Sequence, residues 1–180
     1  GTDFNPNWGQ ATVVTQEDIA GNNTLKYAGL NYQGMQIGSA QDVSGMTHLH
    51  IDYWTINSTA LNTFIISSGP VETAKALTVP TSGWASIDIP LTDFSPVDLA
   101  DVIQMKFDGN GDIFLDNIYF YKESSGGGGG GSTNVVSIFS DDFTDIAVNA
   151  WGPDWGGSSS RIVDGTLNGS PAKVINVEAG

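Results

Sequence analysis

Apolar and polar side chains alternate with period two through most of the first two thirds of the chain. Thr47-His48-Leu49-His50-Ile51-Asp52-Tyr53-Trp54-Thr55 is the clearest stretch. Successive strand residues point to opposite faces, so Leu49, Ile51 and Tyr53 are expected in the core and His48, His50, Asp52 and Trp54 outside. Residues 61–67 and 102–107 read the same way, the latter turning Gln104 and Lys106 outward. Residues 84–90 form another strand, stopped by Pro90, which cannot donate to a sheet ladder. Residues 113–121 follow the turn-rich Asp108-Gly109-Asn110-Gly111 and close the set. Helix is expected for one turn near residues 95–100. Short strands broken by Gly, Asn and Pro predict an all-β chain built as a β-sandwich.

Punctuation divides the chain. Ser124-Ser125, the run Gly126 to Gly131 and Ser132-Thr133 have the composition of a flexible linker. Residues 124–133 therefore separate a module over 1–123 from a segment over 134–180. The two sides are related at an offset of 147, which sets Pro6 on Pro153, Trp8 on Trp155, Gly9 on Gly156 and Lys26 on Lys173. Asn7 meets Asp154 and Glu17 meets Asp164 without a gap. That period suits whole domains on a string rather than a solenoid. Residues 135–143 have no counterpart in the first copy. The expectation is one module lacking its first strand, followed by the start of a second, too short to fold alone. Two readings of 135–143 stand open. They fill the vacant edge of the first module as a donated strand, or they begin the second module and leave that edge otherwise covered.

These segments are similar to a known family. Residues 47–54, Gly83-Trp84-Ala85-Ser86-Ile87-Asp88-Ile89-Pro90-Leu91 and Ile113-Phe114-Leu115-Asp116-Asn117-Ile118-Tyr119-Phe120-Tyr121 resemble the β-jelly-roll, carbohydrate-binding-type modules of secreted bacterial polysaccharide-degrading enzymes, such as family 16 glycoside hydrolases. Ile138-Phe139-Ser140-Asp141-Asp142-Phe143 resembles the first strand of such a module. The resemblance implies a non-catalytic jelly roll that often carries a structural calcium. It places an acidic residue of the first strand and the Asp of the last strand near that ion, here Asp142 and Asp116, with Asp141 the weaker candidate.

Composition narrows the partners. Twenty acidic residues against six basic ones give a net charge of −14, and the chain has a single Arg. Phosphate-backbone binding needs clustered Lys and Arg, so nucleic acid is excluded as a partner, and anionic membrane surfaces with it. Cysteine is absent, which removes disulfides, thiolate metal sites and Cys nucleophiles. No apolar run reaches membrane-spanning length. The Gly-, Asn-, Ser-, Thr- and aromatic-rich profile is that of a secreted or cell-surface β-protein.

The candidate chemistry is recognition of sugar. A pyranose offers a C–H face to flat aromatic rings and hydroxyls to a few polar groups. His50, Asp52 and Trp54 on one strand, with Lys26, Gln104 and Lys106 from others, make a glycan groove if their strands share one sheet. Trp8, in Asn5-Pro6-Asn7-Trp8-Gly9, reads as a core plug, with a loop platform as the alternative. Trp84 reads as structural. Asp108-Gly109-Asn110-Gly111-Asp112 imitates the start of a calcium loop, but Ile113 stands where glycine is needed and Tyr119 where the bidentate Glu would be. It is expected to be a hairpin turn. No enzyme is expected: neither Glu-x-Asp-x-x-Glu nor Gly-x-Ser-x-Gly occurs, and His48 and His50 have no evident third metal ligand. Three Asn-x-Ser/Thr sequons carry little weight in so Asn-rich a chain. The expected function is polysaccharide binding, on a β-glucan-like chain, for a secreted multidomain polysaccharide-degrading enzyme. The alternative is a structural or adhesive tandem repeat that exchanges strands with neighbouring copies.

Overall fold

The computed structural model describes residues 1–122 and 135–139 throughout, together with the backbone of strands over 160–167 and 170–177. The chain divides into two compact units, Gly1–Ile146 and Ala147–Gly180. The described residues of the first form ten strands: β1 Val13–Ile19, β2 Asn22–Ala28, β3 Tyr32–Gln41, β4 His48–Thr55, β5 Leu61–Ser67, β6 Val71–Ala76, β7 Ala85–Pro90, β8 Val102–Gly109, β9 Ile113–Tyr121 and β10 Val135–Phe139. One sheet runs β1-β2-β9-β4-β7, with β10 also on β9; the other runs β3-β8-β5-β6. All these pairings are antiparallel.

The core lies between the sheets. Leu49, Ile51 and Tyr53 of β4 are buried beside Leu115 and Phe120 of β9, and they share the cluster with Met35, Ile65, Met105 and Phe107 of the other sheet. β4 alternates between half-buried and buried along its whole length, as its period-two pattern dictates. Among the described residues the helical element is a single 3-10 turn, Leu91–Phe94, directly after Pro90 and ahead of the expected position. Leu91 and Phe94 plug into the core there, and residues 95–100 continue as turns and bends.

The last strand holds two neighbours on one edge. Ile113 to Leu115 pair with Tyr27 to Leu25 of β2, whereas Ile118 to Tyr121 pair with β10. The change-over falls at Asp116 and Asn117. Asn117 has a φ of 46° there, and the register against β4 slips between His50 and Asp52. An extra residue in one strand bends it and lets its edge change partner. Residues 135–139, for which two readings stood open, thus pair with β9. Ile138 is 2% and Phe139 6% exposed, and the Phe139 ring meets Phe4 edge-on at 5.6 Å.

The turn over 109–112 is not a hairpin. It carries the chain from β8 in one sheet to β9 in the other. Gly109 has a φ of 154° and passes so close to the 58–61 loop that a Cβ would stand 2.1 Å from the Ala60 carbonyl oxygen. The Asn110 side chain accepts from the Thr59 amide at 2.8 Å, and Asp112 Oδ1 accepts from the Gly29 amide at 2.9 Å. Its polar groups tie loops together rather than encircling a cation.

The second unit contributes a hairpin, β11 Ser160–Leu167 and β12 Ser170–Val177, paired antiparallel. β11 begins 147 residues after β1 (160 against 13). Among the described residues no helix is long and apolar enough to cross a membrane.

Candidate functional site

A groove of about 470 Å³ lies on the outer face of the four-stranded sheet, walled by Trp8 and Tyr32 and floored by Ile66, Gln104 and Lys106, with Glu72 and Asp108 at its rim. Sheet register explains the gathering. Gly34, Lys106, Phe64 and Ala74 are cross-strand partners in one outward row, and Gln36, Gln104, Ile66 and Glu72 in the next. Lys106 Nζ lies 2.8 Å from both carboxylate oxygens of Glu72 and 4.0 Å from the Phe64 ring centroid. Gln104 Nε2 donates to Gln36 Oε1 at 2.6 Å, and Asn62 Nδ2 donates to Asp108 Oδ1 at 2.7 Å. On the wall, Tyr32 donates its hydroxyl to the Trp8 carbonyl oxygen at 2.8 Å, and the Trp8 amide donates to Gln10 Oε1 at 2.7 Å. Aromatic planes beside fixed donors and acceptors are what a sugar ring requires.

Trp8 is therefore not a core plug. It is half-buried on the outside of the sandwich, at the groove. Tyr32 and Glu72 were not expected from the sequence as ligand-binding residues, and Asp108 was read only as part of a turn. Tyr32 opens β3, a strand whose glycines and glutamines hide its alternation, and Glu72 sits on the exposed β6.

The six residues expected in one glycan groove do not share a face. Gln104 and Lys106 belong to the four-stranded sheet; Lys26, His50, Asp52 and Trp54 belong to the other. An outward position has the same period in either sheet, so periodicity alone cannot assign it to one of them. The structure also shows what the latter four touch. Trp54 stacks on Phe114 at 4.8 Å and lies 6.2 Å from Trp84, which is 41% exposed. Lys26 Nζ is 5.3 Å from the Phe114 centroid and 3.0 Å from Glu17 Oε1.

His50 is held from both sides. Its Nδ1 is 2.7 Å from Asp88 Oδ1, its Nε2 is 3.2 Å from Asp52 Oδ1, and its ring stacks on Tyr119 at 4.6 Å. The hydrogen bond to Asp52 is the main cause that raises the His50 pKa; partial burial opposes it, and Asp88 adds to the rise. For Asp52, burial pushes upward, but hydrogen bonds from His50, Ser86 and Asn117 outweigh it and hold the carboxyl below its usual value. Both side chains are engaged with each other and with neighbouring strands.

Asp116 is 3% exposed, at the point where β9 changes partner. Asn22 Nδ2 donates to its Oδ2, and the Asn117 amide donates to its Oδ1 at 2.7 Å. Calcium takes six to eight oxygen ligands, and among the described residues no group of three His, Asp or Glu could hold a metal. Of the expected calcium ligands, Asp116 is the one among the described residues. Asp142 and Asp141 lie outside them.

No family model matches the sequence, and no curated protein matches it. Solved structures do share its fold. A family 30 carbohydrate-binding module is 15% identical with a TM-score of 0.50, over 69% of this chain and 80% of that one. An exo-β-agarase matches with the same TM-score at 13% identity, over 68% of this chain and 23% of its own. The family 11 carbohydrate-binding module of the cellulosomal cellulase Lic26A-Cel5E of Clostridium thermocellum is 17% identical with a TM-score of 0.48, over 70% and 90%. The two-sheet antiparallel architecture is thus a jelly-roll β-sandwich of the kind seen in carbohydrate-binding modules.

Proposed function

We propose that the first unit is a non-catalytic carbohydrate-binding module whose groove on the four-stranded sheet holds a polysaccharide. The observation that carries this is the groove itself: Trp8 and Tyr32 stand beside the fixed polar groups of Lys106, Glu72 and Gln104, on a fold shared with a family 30 carbohydrate-binding module. The finer reading is a neutral, β-glucan-like chain, since Lys106 and Glu72 offset each other and a net charge of −14 repels polyanions. In this reading the module serves a secreted, multidomain polysaccharide-degrading enzyme by raising its effective concentration at the substrate. The hairpin that begins 147 residues after β1 supports a second copy in tandem.

Affinity electrophoresis of the full chain through gels of soluble β-glucans and galactans tests the assignment, with calcium and with chelator. Retardation by one polysaccharide, lost in Lys106→Ala, is the expected result. A retardation that needs calcium would bring Asp116 and Asp142 back as ligands. A second reading, a structural or adhesive repeat linked by strand exchange, draws on the pairing of β10 with β9. Folded protein that no glycan retards would favour it.

A further inference from the structure

Trp8 does not come from the sheet whose groove it walls. It is delivered by the segment that precedes β1, which pairs with the free edge of β3 at Asp3. That pairing consists of two backbone hydrogen bonds, Asp3 N to Gln36 O and Gln36 N to Asp3 O, both at 2.8 Å. Gly34, Gln36 and Gly38 are alternate positions of β3, opposite in parity to the core residues Met35 and Ile37, and two of the three carry no side chain. A Cβ on Gly38 would stand 2.7 Å from the Gly1 carbonyl oxygen. A Cβ on Gly34 would stand 2.1 Å, 2.3 Å and 2.5 Å from three carbons of the Trp8 six-membered ring. Real Cβ atoms do not approach so closely. Gly34 is not in the left-handed region of backbone space, so its φ would accept any residue. Conformation does not call for glycine at this position; the indole does.

We infer that Gly34 is the seat of Trp8 and thereby a positioning residue for glycan binding: its bare Cα lets the indole lie against the sheet as the stacking wall of the groove. This rests on the groove being the glycan site. A methyl at 34 lifts the indole off the sheet while leaving Lys106, Glu72 and Gln104 in place.

The test is a double-mutant cycle on the full chain, read by affinity electrophoresis against whichever polysaccharide retards the wild type. Gly34→Ala and Trp8→Ala are each expected to weaken binding by roughly tenfold, the factor that loss of one good stacking contact corresponds to. The double variant has room for the methyl, folds as Trp8→Ala does, and is expected to bind no worse than Trp8→Ala. The Trp8 indole N–H resonance, identified by its absence in Trp8→Phe, is expected to move on glycan addition and to be displaced in glycan-free Gly34→Ala. Unchanged affinity and an unmoved Trp8 resonance in Gly34→Ala overturn the inference, while loss of binding in Lys106→Ala leaves the groove assignment standing. If neither Trp8→Ala nor Lys106→Ala alters retardation, the groove assignment itself falls, and the role of Gly34 with it.

Discussion

At His50 two carboxylates share one ring, Asp88 opposite it on β7 and Asp52 two residues along β4. Tyr119 of β9 covers the face of the ring, His48 is its neighbour on β4, and Asp116 stands opposite Asp52 on β9. A ring whose folded pKa is raised above 6.5 stabilises the fold in its protonated form. That contribution is fully present below the unfolded value and is lost as pH rises through the raised folded one. Asp52 runs the other way: lowered from 3.8, it contributes above that value and loses its contribution as pH falls through the lower folded pKa. The pair is therefore strongest between the two windows. Urea midpoints from about pH 5 to about pH 9, the span in which a histidine titrates, should fall for the wild type with rising pH. They should stay flatter for His50→Gln. Parallel curves would show that the ring carries no proton-linked stability. The outward direction of His50 was legible in the alternation around it. Its engagement was not, because Asp88 lies 38 residues away and reaches it only through strand pairing.

Strand β10 shows how one element can complete a sheet from across a Gly-rich stretch. Ser137, Ile138 and Phe139 are buried, although the sequence around them resembles the opening of a second module. If β10 belongs energetically to the first unit, Phe139→Ala should lower its unfolding free energy by about 3 kcal/mol, the low end for a buried Phe. Unfolding of the full chain followed by tryptophan fluorescence measures this, and an unmoved midpoint would detach β10 from that core. Other elements were unevenly legible. β4 alternates strictly because it has one buried and one outer face, and β5, β8 and β9 alternate over part of their length. β1 and β6 are edge strands, and much of their length is exposed, so their patterns lack the apolar half of the signal. In β3 the outward glycines, Gly34 under Trp8 and Gly38 beside Gly1, erase it. The 109–112 turn was legible as a turn, but whether a chain reverses within its sheet or crosses to the other depends on contacts such as Asn110 with Thr59, far off in sequence. The split of the six candidate glycan residues between two sheets has the same cause.

For the whole molecule, the sandwich presents two outer faces with different contents. On the four-stranded sheet, Trp8 and Tyr32 border an open groove, and its ion pair is partly exposed. On the other, Trp84, Trp54 and Phe114 lean on one another, and His50, Asp52, Ser86 and Asn117 satisfy one another across three strands. The first arrangement lines a groove open to a ligand; the second packs its groups against one another and ties strands together. Substitutions should separate accordingly. Trp54→Ala removes contacts with Phe114 and Trp84, worth about 1–3 kcal/mol together with the lost burial, and should lower the urea midpoint while retardation by glycan stays at the wild-type value. Lys106→Ala should do the reverse, since a partly exposed ion pair contributes about 1 kcal/mol or less to stability. Measuring both properties on both variants makes the division testable in one experiment. If Trp54→Ala loses retardation while Lys106→Ala keeps it, the glycan lies on the six-stranded sheet. The His50–Asp52 network would then have to open to receive it, and binding would depend on pH through the same ring that sets the stability profile.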